Sequence, residues 1–463
     1  MIFSSLTFLL VFLPITLILY YLAPGVRMKN AALLLCSLIF YAWGEPIYIL
    51  LMLYSIFMNY VCGLLMEKHT RARRQILIFG VVINLFLLGF FKYAGFLAES
   101  FNSIFGQFGL TIPVREIALP IGISFYTFQA LSYLIDLYRG KFPAQKNPVC
   151  FALYITMFPQ LIAGPIVRYE TVAAELEKRK LSLAKFGQGA FLFIDGLAMK
   201  VLLANQIGSM ADELRTLTGS LSATSAWIGA FSYFFQIYFD FAGYSTMAIG
   251  LGLMLGFTFI KNFDYPYLSS SVTEFWRRWH MSLGTWFREY VYIPLGGNRV
   301  STLKHIRNIL IVWLLTGLWH GAAWNFVLWG LYYGLLLLLE KYVLSHFRLP
   351  KIIGWLYTTV LVIVGWVIFS GDTLSQSMSM LSAMFGSGNG LFDKTASYYL
   401  TTGWRILLIS AICSTPLLEN LRKKLLRISS GRIALTIIYV ALFALAILFL
   451  VVQNYNPFLY FRF

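Results

Sequence analysis

Apolar runs of about 17–22 residues recur along the whole of this 463-residue chain, separated by short basic connectors. A helix needs about 20 residues to cross a bilayer, so each run has the length of one crossing. A membrane β-barrel would instead show alternating segments of about 10 residues. Composition agrees: 59% of residues are apolar and 12% charged, against about 45–50% and 25% in soluble domains. Mean hydropathy is +0.73. That leaves too little polar surface to cover a soluble globular enzyme, and far too much apolar surface for a disordered chain. The predicted class is an all-α polytopic membrane protein.

The formal net charge is +17. In a soluble protein this excess would suggest nucleic acid. Here the Lys and Arg residues lie between apolar runs, which reads as the positive-inside signal, with anionic lipid headgroups as counter-charge and no nucleic-acid partner. The cysteines (Cys36, Cys62, Cys150, Cys413) are scattered in apolar stretches without paired spacing and read as structural. Residues 2–22 lack a basic leader and a small-residue cleavage site, so they read as a retained first span.

Further runs fall at 31–44, 47–66, 76–92, 119–138, 150–166, 188–207, 226–256, 308–340, 352–369, 403–419 and 433–453. The run 31–44 is short. The run 308–340 is too long for one ordinary span and is interrupted by Gly317, Gly321 and Asn325. If all basic connectors are cytoplasmic, parity closes only when 150–166 and 308–340 each enter and return to the same side. Pro159, Gly164-Pro165 and Gly321 supply breakers for those turns, and broken backbone at membrane depth needs protein or a wet cavity around it. The expectation is about ten crossings, two re-entrant pairs and both termini outside the cytoplasm. One integral-membrane domain spans 1–463, with N-terminal helices at 1–92, a catalytic core at about 119–340 and C-terminal helices at 352–463. No internal repeat is visible, which argues against an inverted-repeat transporter.

Of five histidines, His69, His305 and His346 sit in basic connectors and read as solvated or headgroup-facing. His320 differs: no Lys, Arg, Asp or Glu occurs from Ile309 to Leu339, and an ionisable group inside a span marks function by default. The alternative is a neutral imidazole satisfied by a helix–helix hydrogen bond. Trp319 and Trp324 flank it as interface anchors; alternatively, the two small glycines and Asn325 around the histidine form a backbone pocket. A second polar block runs from Asn262 to Arg299. Ser271-Val-Thr-Glu274 is a capping-box pattern that predicts a helix from Val272, on which Trp276, Trp279 and His280 share a face. This block reads either as an interfacial amphipathic helix or as a substrate site.

No HExxH, paired Cys/His spacing, phosphate-binding loop or GxSxG elbow occurs, so the sequence offers no metal site, nucleotide cradle or serine nucleophile. A buried neutral His320 acting as general base on a hydroxyl that attacks an activated acyl group is the economical chemistry. Asp240, the candidate intramembrane charge, either pairs with an arginine or orients an imidazole; a structural hydrogen-bonding role is the other reading.

Several segments together resemble the membrane-bound O-acyltransferase family. They are Pro-Ile-Gly-Ile-Ser-Phe-Tyr-Thr-Phe-Gln at 120–129, Phe-Pro-Gln-Leu-Ile-Ala-Gly-Pro at 158–165, Phe-Asp-Phe-Ala-Gly-Tyr-Ser at 239–245 and the block 276–299. Most specific is Gly-Leu-Trp-His-Gly-Ala-Ala-Trp-Asn at 317–325, and the ending Phe-Leu-Tyr-Phe-Arg-Phe at 458–463 belongs with them. Within the family the resemblance is to the bacterial alginate and peptidoglycan O-acetyltransferase branch. It implies helices around a central funnel in the bacterial cytoplasmic (inner) membrane. It also implies His320 as the catalytic histidine, with His280 as a second catalytic residue. The donor is acetyl-CoA or another acyl thioester, with no bound cofactor, and an extracytoplasmic esterase-like partner places the acyl group on a cell-surface polysaccharide. The teichoic acid D-alanyl transferases are the nearest alternative, and a transporter or flippase the alternative from another class.

On this reading Trp276, Arg277, Arg278, Trp279, Ser282, Arg288, Trp319, Asn325 and Asp240 line the donor or substrate path. Arg277, Arg278 and Arg288 face donor phosphates or, alternatively, lipid headgroups. Tyr460 is a candidate acyl carrier at the far exit, or an interfacial aromatic anchor.

Overall fold

The computed structural model describes residues 1–114, 117–162, 164–347, 350–453 and 455–459. Among them every regular element is helical. Seven described segments are long and apolar enough to cross a membrane: Gly25–Gly44, Ile49–Lys68, Thr70–Phe108, Leu183–Thr216, Trp324–His346, Lys351–Ser370 and Ser429–Val452. Phe8–Leu22 and Trp404–Cys413 are shorter apolar helices. This is a multi-pass helical membrane protein. The residues divide into two compact units, 1–193 with 247–260, and 194–246 with 261–463.

The first unit holds α1 (Leu13–Leu22), α2 (Gly25–Gly44), α3 (Ile49–Lys68), α4 (Arg73–Phe105), α5 (Ile123–Tyr138), α6 (Pro148–Thr156), α7 (Phe158–Leu161) and α8 (Tyr169–Glu177). The short run 31–44 becomes a full 20-residue helix because α2 begins at Gly25 and takes in Arg27 and Lys29. The Lys29 ammonium is satisfied by the Tyr20 carbonyl at 2.9 Å. The break expected within 150–166 falls at Met157, between α6 and α7. The two motifs at 120–129 and 158–165 pack together: a Cβ on Gly122 (φ +76°) would lie 2.9 Å from the Leu161 carbonyl oxygen. A helix start in that left-handed conformation favours glycine.

Residues of α9 (Leu183–Ala198), which continues through a π-turn at Met199–Ala204 into α10 (Asn205–Thr216), and of α11 (Ala223–Met254) lead into the second unit. It continues with α12 (Val272–Arg278), α13 (Met281–Phe287), α14 (Thr302–His320), α15 (Trp324–Tyr342), α16 (Lys351–Ser370), α17 (Leu374–Ser382), α18 (Lys394–Thr402), α19 (Trp404–Cys413), α20 (Leu417–Leu425) and α21 (Ser429–Val452). The overlong run 308–340 resolves into α14 and α15, with Gly321 extended (φ −166°, ψ 157°) between them. The helices pack antiparallel: Gly317 meets Phe326 and Gly330, while Gly334 meets Leu310 and Trp313. Small residues at these crossings let two backbones approach closely.

Candidate active site

His320 is the last residue of α14, only 7% exposed. The hairpin turn that follows holds it inside the second unit, where rings of Trp319, Trp329 and Phe369 stand edge-on at 5.0, 5.1 and 5.2 Å. It lines a cavity of about 20 Å³ together with Asp240, Phe241, Trp279, Trp366, Phe369 and Leu459. That volume admits a single water.

The capping box forms at the predicted place, with a change of partner. The Ser271 hydroxyl accepts the Glu274 amide at 3.0 Å, while the Glu274 carboxylate accepts the amide of Ser270 at 2.9 Å. The expectation that Trp276, Trp279 and His280 share one helix face is corrected. Helix α12 ends at Arg278, Trp279 is extended, and His280 is left-handed at φ 44°, ψ 53°. A non-glycine residue in that region is strained and points to a site that needs it. The turn brings the His280 Nδ1 to 3.2 Å from the Asn262 Oδ1. The same oxygen accepts the Ser282 amide (3.1 Å) and hydroxyl (2.9 Å). This fixes the Nδ1–H tautomer and leaves the lone pair on Nε2. Burial pushes the His280 imidazole down to about 3, so it is neutral at working pH. The two histidines flank one indole: Trp319 lies 5.0 Å from His320 and 5.8 Å from His280. Phe241 packs on His280 at 4.7 Å and also lines the His320 cavity. His280 thus stands one aromatic layer behind the cavity.

The remaining candidates sort by environment. Trp279 lines the cavity. Trp276 packs against Trp313, Trp329 and Tyr333, and Ser282 is spent on Asn262. Trp319 is buried while Trp324 is 56% exposed, so only the first of that pair is a wall. Asn325 is buried and donates to the Gly371 carbonyl at 3.0 Å, which ties α15 to the end of α16. Arg278 is engaged by Glu274 at 2.8 Å and leaves the phosphate-binding set; Arg277 and Arg288 are exposed. Among the described residues Asp240 pairs neither with an arginine nor with an imidazole: its partner is Lys200, and both side chains are about 1–2% exposed. Asp240 is therefore not alone as a charge inside the apolar runs, because Lys200 lies within the run 188–207. His305 is not a solvated loop residue. It is 7% exposed, with Tyr292 at 2.9 Å on Nε2 and Tyr342 at 2.6 Å on Nδ1. Tyr460 lies outside the described residues. Among the described residues, no group of three or more His, Cys, Asp or Glu is placed to hold a metal ion.

Sequence reasoning missed Lys200 and Asn262. Lys200 was legible as a charge inside an apolar run; Asn262, eighteen residues before His280, carries no local signal.

Comparison with known proteins extends this picture. The model of the membrane-bound O-acyltransferase family matches residues 145–381, which contain Lys200, Asp240, His280 and His320. The chain is 45% identical to the probable alginate O-acetylase AlgI of Pseudomonas aeruginosa, over 84% of this chain and 75% of that one. It is 40% identical to the AlgI of Azotobacter vinelandii, over the full length of both. Its identity to the peptidoglycan O-acetyltransferase of Helicobacter pylori is 35%, over 86% and 83% of the two chains. The resemblance carried by the motifs is thereby established, and the chain belongs to the membrane-bound O-acyltransferase family.

Proposed function

We propose that this acyltransferase is an O-acetyltransferase for cell-surface polysaccharide, and that it works across the bacterial inner membrane. The named relatives act on alginate and peptidoglycan, which supports acetyl as the acyl group and a glycan as the final acceptor. A teichoic acid D-alanyltransferase is 27% identical over 56% of this chain and supports the alternative acyl group less well. The donor is a cytoplasmic thioester, acetyl-CoA in the first instance, and Arg277 and Arg288 meet its phosphates. An extracytoplasmic esterase-like partner delivers the group to the polymer.

The observation that carries the reading is a buried histidine at the end of a broken helix, walled by aromatic rings inside the family-matched region. In the reaction His320 takes the proton of the accepting hydroxyl as its oxygen attacks the thioester carbonyl. The C–S bond breaks, and the thiolate leaves with that proton returned from the imidazolium. His280, held by Asn262, fixes Trp319 and so the wall behind His320. The test is purified protein with acetyl-labelled CoA and a soluble hydroxyl acceptor. Transfer dependent on His320 supports the reading, and no consumption of any acyl thioester overturns it.

A further inference from the structure

Lys200 and Asp240 form an ion pair inside the second unit, with side chains about 1% and 2% exposed. Lys200 stands at the start of the π-turn Met199–Ala204, a local widening of the helix that recurs at functional sites. Desolvating two charges costs more than their attraction returns unless their remaining hydrogen-bonding capacity is also met. Here that capacity goes to the main chain of residues 455–459. The Lys200 ammonium donates to the Pro457 carbonyl oxygen, and the second Asp240 carboxylate oxygen accepts the Leu459 amide at 2.9 Å. Both contacts are to backbone, so the pair reads main chain and not a particular side chain. Flanking contacts extend the grip: the Tyr455 hydroxyl donates to Asp212 at 2.5 Å, the Asn205 amide donates to the Asn456 side-chain oxygen at 3.1 Å, and Phe458 packs on the Tyr244 ring at 4.4 Å. The segment ends with Leu459 in the wall of the His320 cavity, beside Asp240 itself.

We propose that Lys200 and Asp240 are positioning residues: a backbone clamp that seats the chain's own segment 455–459 as a movable wall of the His320 cavity. The cavity is small, about 20 Å³ with room for a single water, so the position of Leu459 sets how much space is left beside His320. Of the groups around it, Leu459 is on a strap held by side chains, whereas Trp279, Trp366 and Phe369 stand on or beside packed helices. Shifting the strap admits the acyl group to His320, and the clamp returns it. This consequence rests on His320 being the catalytic base; the clamp itself does not.

The test separates the two. Lys200→Met combined with Asp240→Leu replaces the pair by apolar side chains of similar size, an exchange that buried ion pairs often tolerate without loss of stability. Amide hydrogen exchange is measured on the full chain in lipid nanodiscs. The clamp predicts at least about tenfold faster exchange in 455–459, with α14 and α15 unchanged as an internal control of folding. The swap Lys200→Asp with Asp240→Lys keeps an ion pair but reverses donor and acceptor, so protection of 455–459 stays lost. Lys200→Arg, which keeps the charge and donor, retains it. Wild-type exchange of 455–459 in the apolar double variant, or protection regained in the swap, overturns the clamp. Lost protection of 455–459 with acetyl transfer unchanged would leave the clamp standing and count against the His320 reading alone.

Discussion

The carboxamide oxygen of Asn262 gathers the His280 imidazole at 3.2 Å and the Ser282 hydroxyl at 2.9 Å, from a loop eighteen residues upstream of the histidine. One acceptor thus fixes the tautomer of a histidine whose backbone is left-handed. Asn262→Ala removes that acceptor and leaves buried donors unmet, at about 1–3 kcal/mol. The expected outcome is a fall in kcat of about tenfold or more with donor KM little changed, because in the proposed mechanism His280 acts through Trp319 and not on the donor. Asn262→Asp keeps the acceptor and should recover a large part of the rate. Steady-state kinetics of both variants, with melting curves as a control, check this.

His320→Ala removes the proposed base and keeps the aromatic rings around it. Loss of a general base costs about 10²–10⁴-fold, and the expected signature is that loss in kcat with binding of the thioester donor retained. Donor binding by calorimetry alongside turnover measures both. An active His320→Ala enzyme would sink the catalytic assignment.

Gly317 and Gly330 approach so closely that a Cβ on either lies 3.3 Å from the other's Cα and overlaps a carbonyl oxygen, of Phe326 or Trp313 respectively. Because the overlapped atoms are main chain, the helices α14 and α15 must separate to admit a methyl group. Gly317→Ala or Gly330→Ala should therefore destabilise by about 1–3 kcal/mol and lower activity by moving His320, three residues from Gly317. Gly89, with open space around its Cβ position, serves as the control, and Gly89→Ala should leave the melting temperature at or above that of the wild type.

Much of the hairpin and little of its surroundings were legible in the chain. A charge-free run with Gly317, Gly321 and Asn325 inside it pointed to a broken pair around His320, because glycine spacing and the absence of charge are local signals. The capping box at Ser271 was readable for the same reason. His280 was assigned to a helix face that does not exist: a histidine at φ 44° has no sequence mark, and helical spacing alone extended α12 two residues too far. His305, the Asp240–Lys200 pair and the role of Asn262 depend on residues brought together from 13 to 40 positions apart, which no window of neighbouring residues contains.

Among the arginines of the polar block, Arg278 is committed to Glu274, while Arg277 and Arg288 are exposed. Arg277→Gln and Arg288→Gln should raise the donor KM several-fold with kcat held, and the effect should shrink at high salt as screening grows. Arg278→Gln should instead lower the melting temperature slightly, the expected size for a partly exposed pair. Kinetics at two ionic strengths separate a phosphate contact from a merely structural one; unchanged donor KM in both exposed-arginine variants removes the donor role.

Glu419 on α20 is held down to about 2 by the Lys423 ammonium, with a further hydrogen bond from the Tyr265 hydroxyl at 2.6 Å. An unfolded glutamate titrates near 4.3, so the folded state binds its proton less readily than the unfolded one. Its contribution to stability is therefore present above about pH 4.3 and is lost as pH falls toward 2. Glu419→Gln should be less stable than the wild type at pH 6, and the two melting temperatures should converge as pH drops from about 4 to 2. Lys423 is well exposed, so the difference at pH 6 is modest and shrinks further with salt. A gap between the two proteins that stays constant across this range would mean that the glutamate acts by packing, not charge.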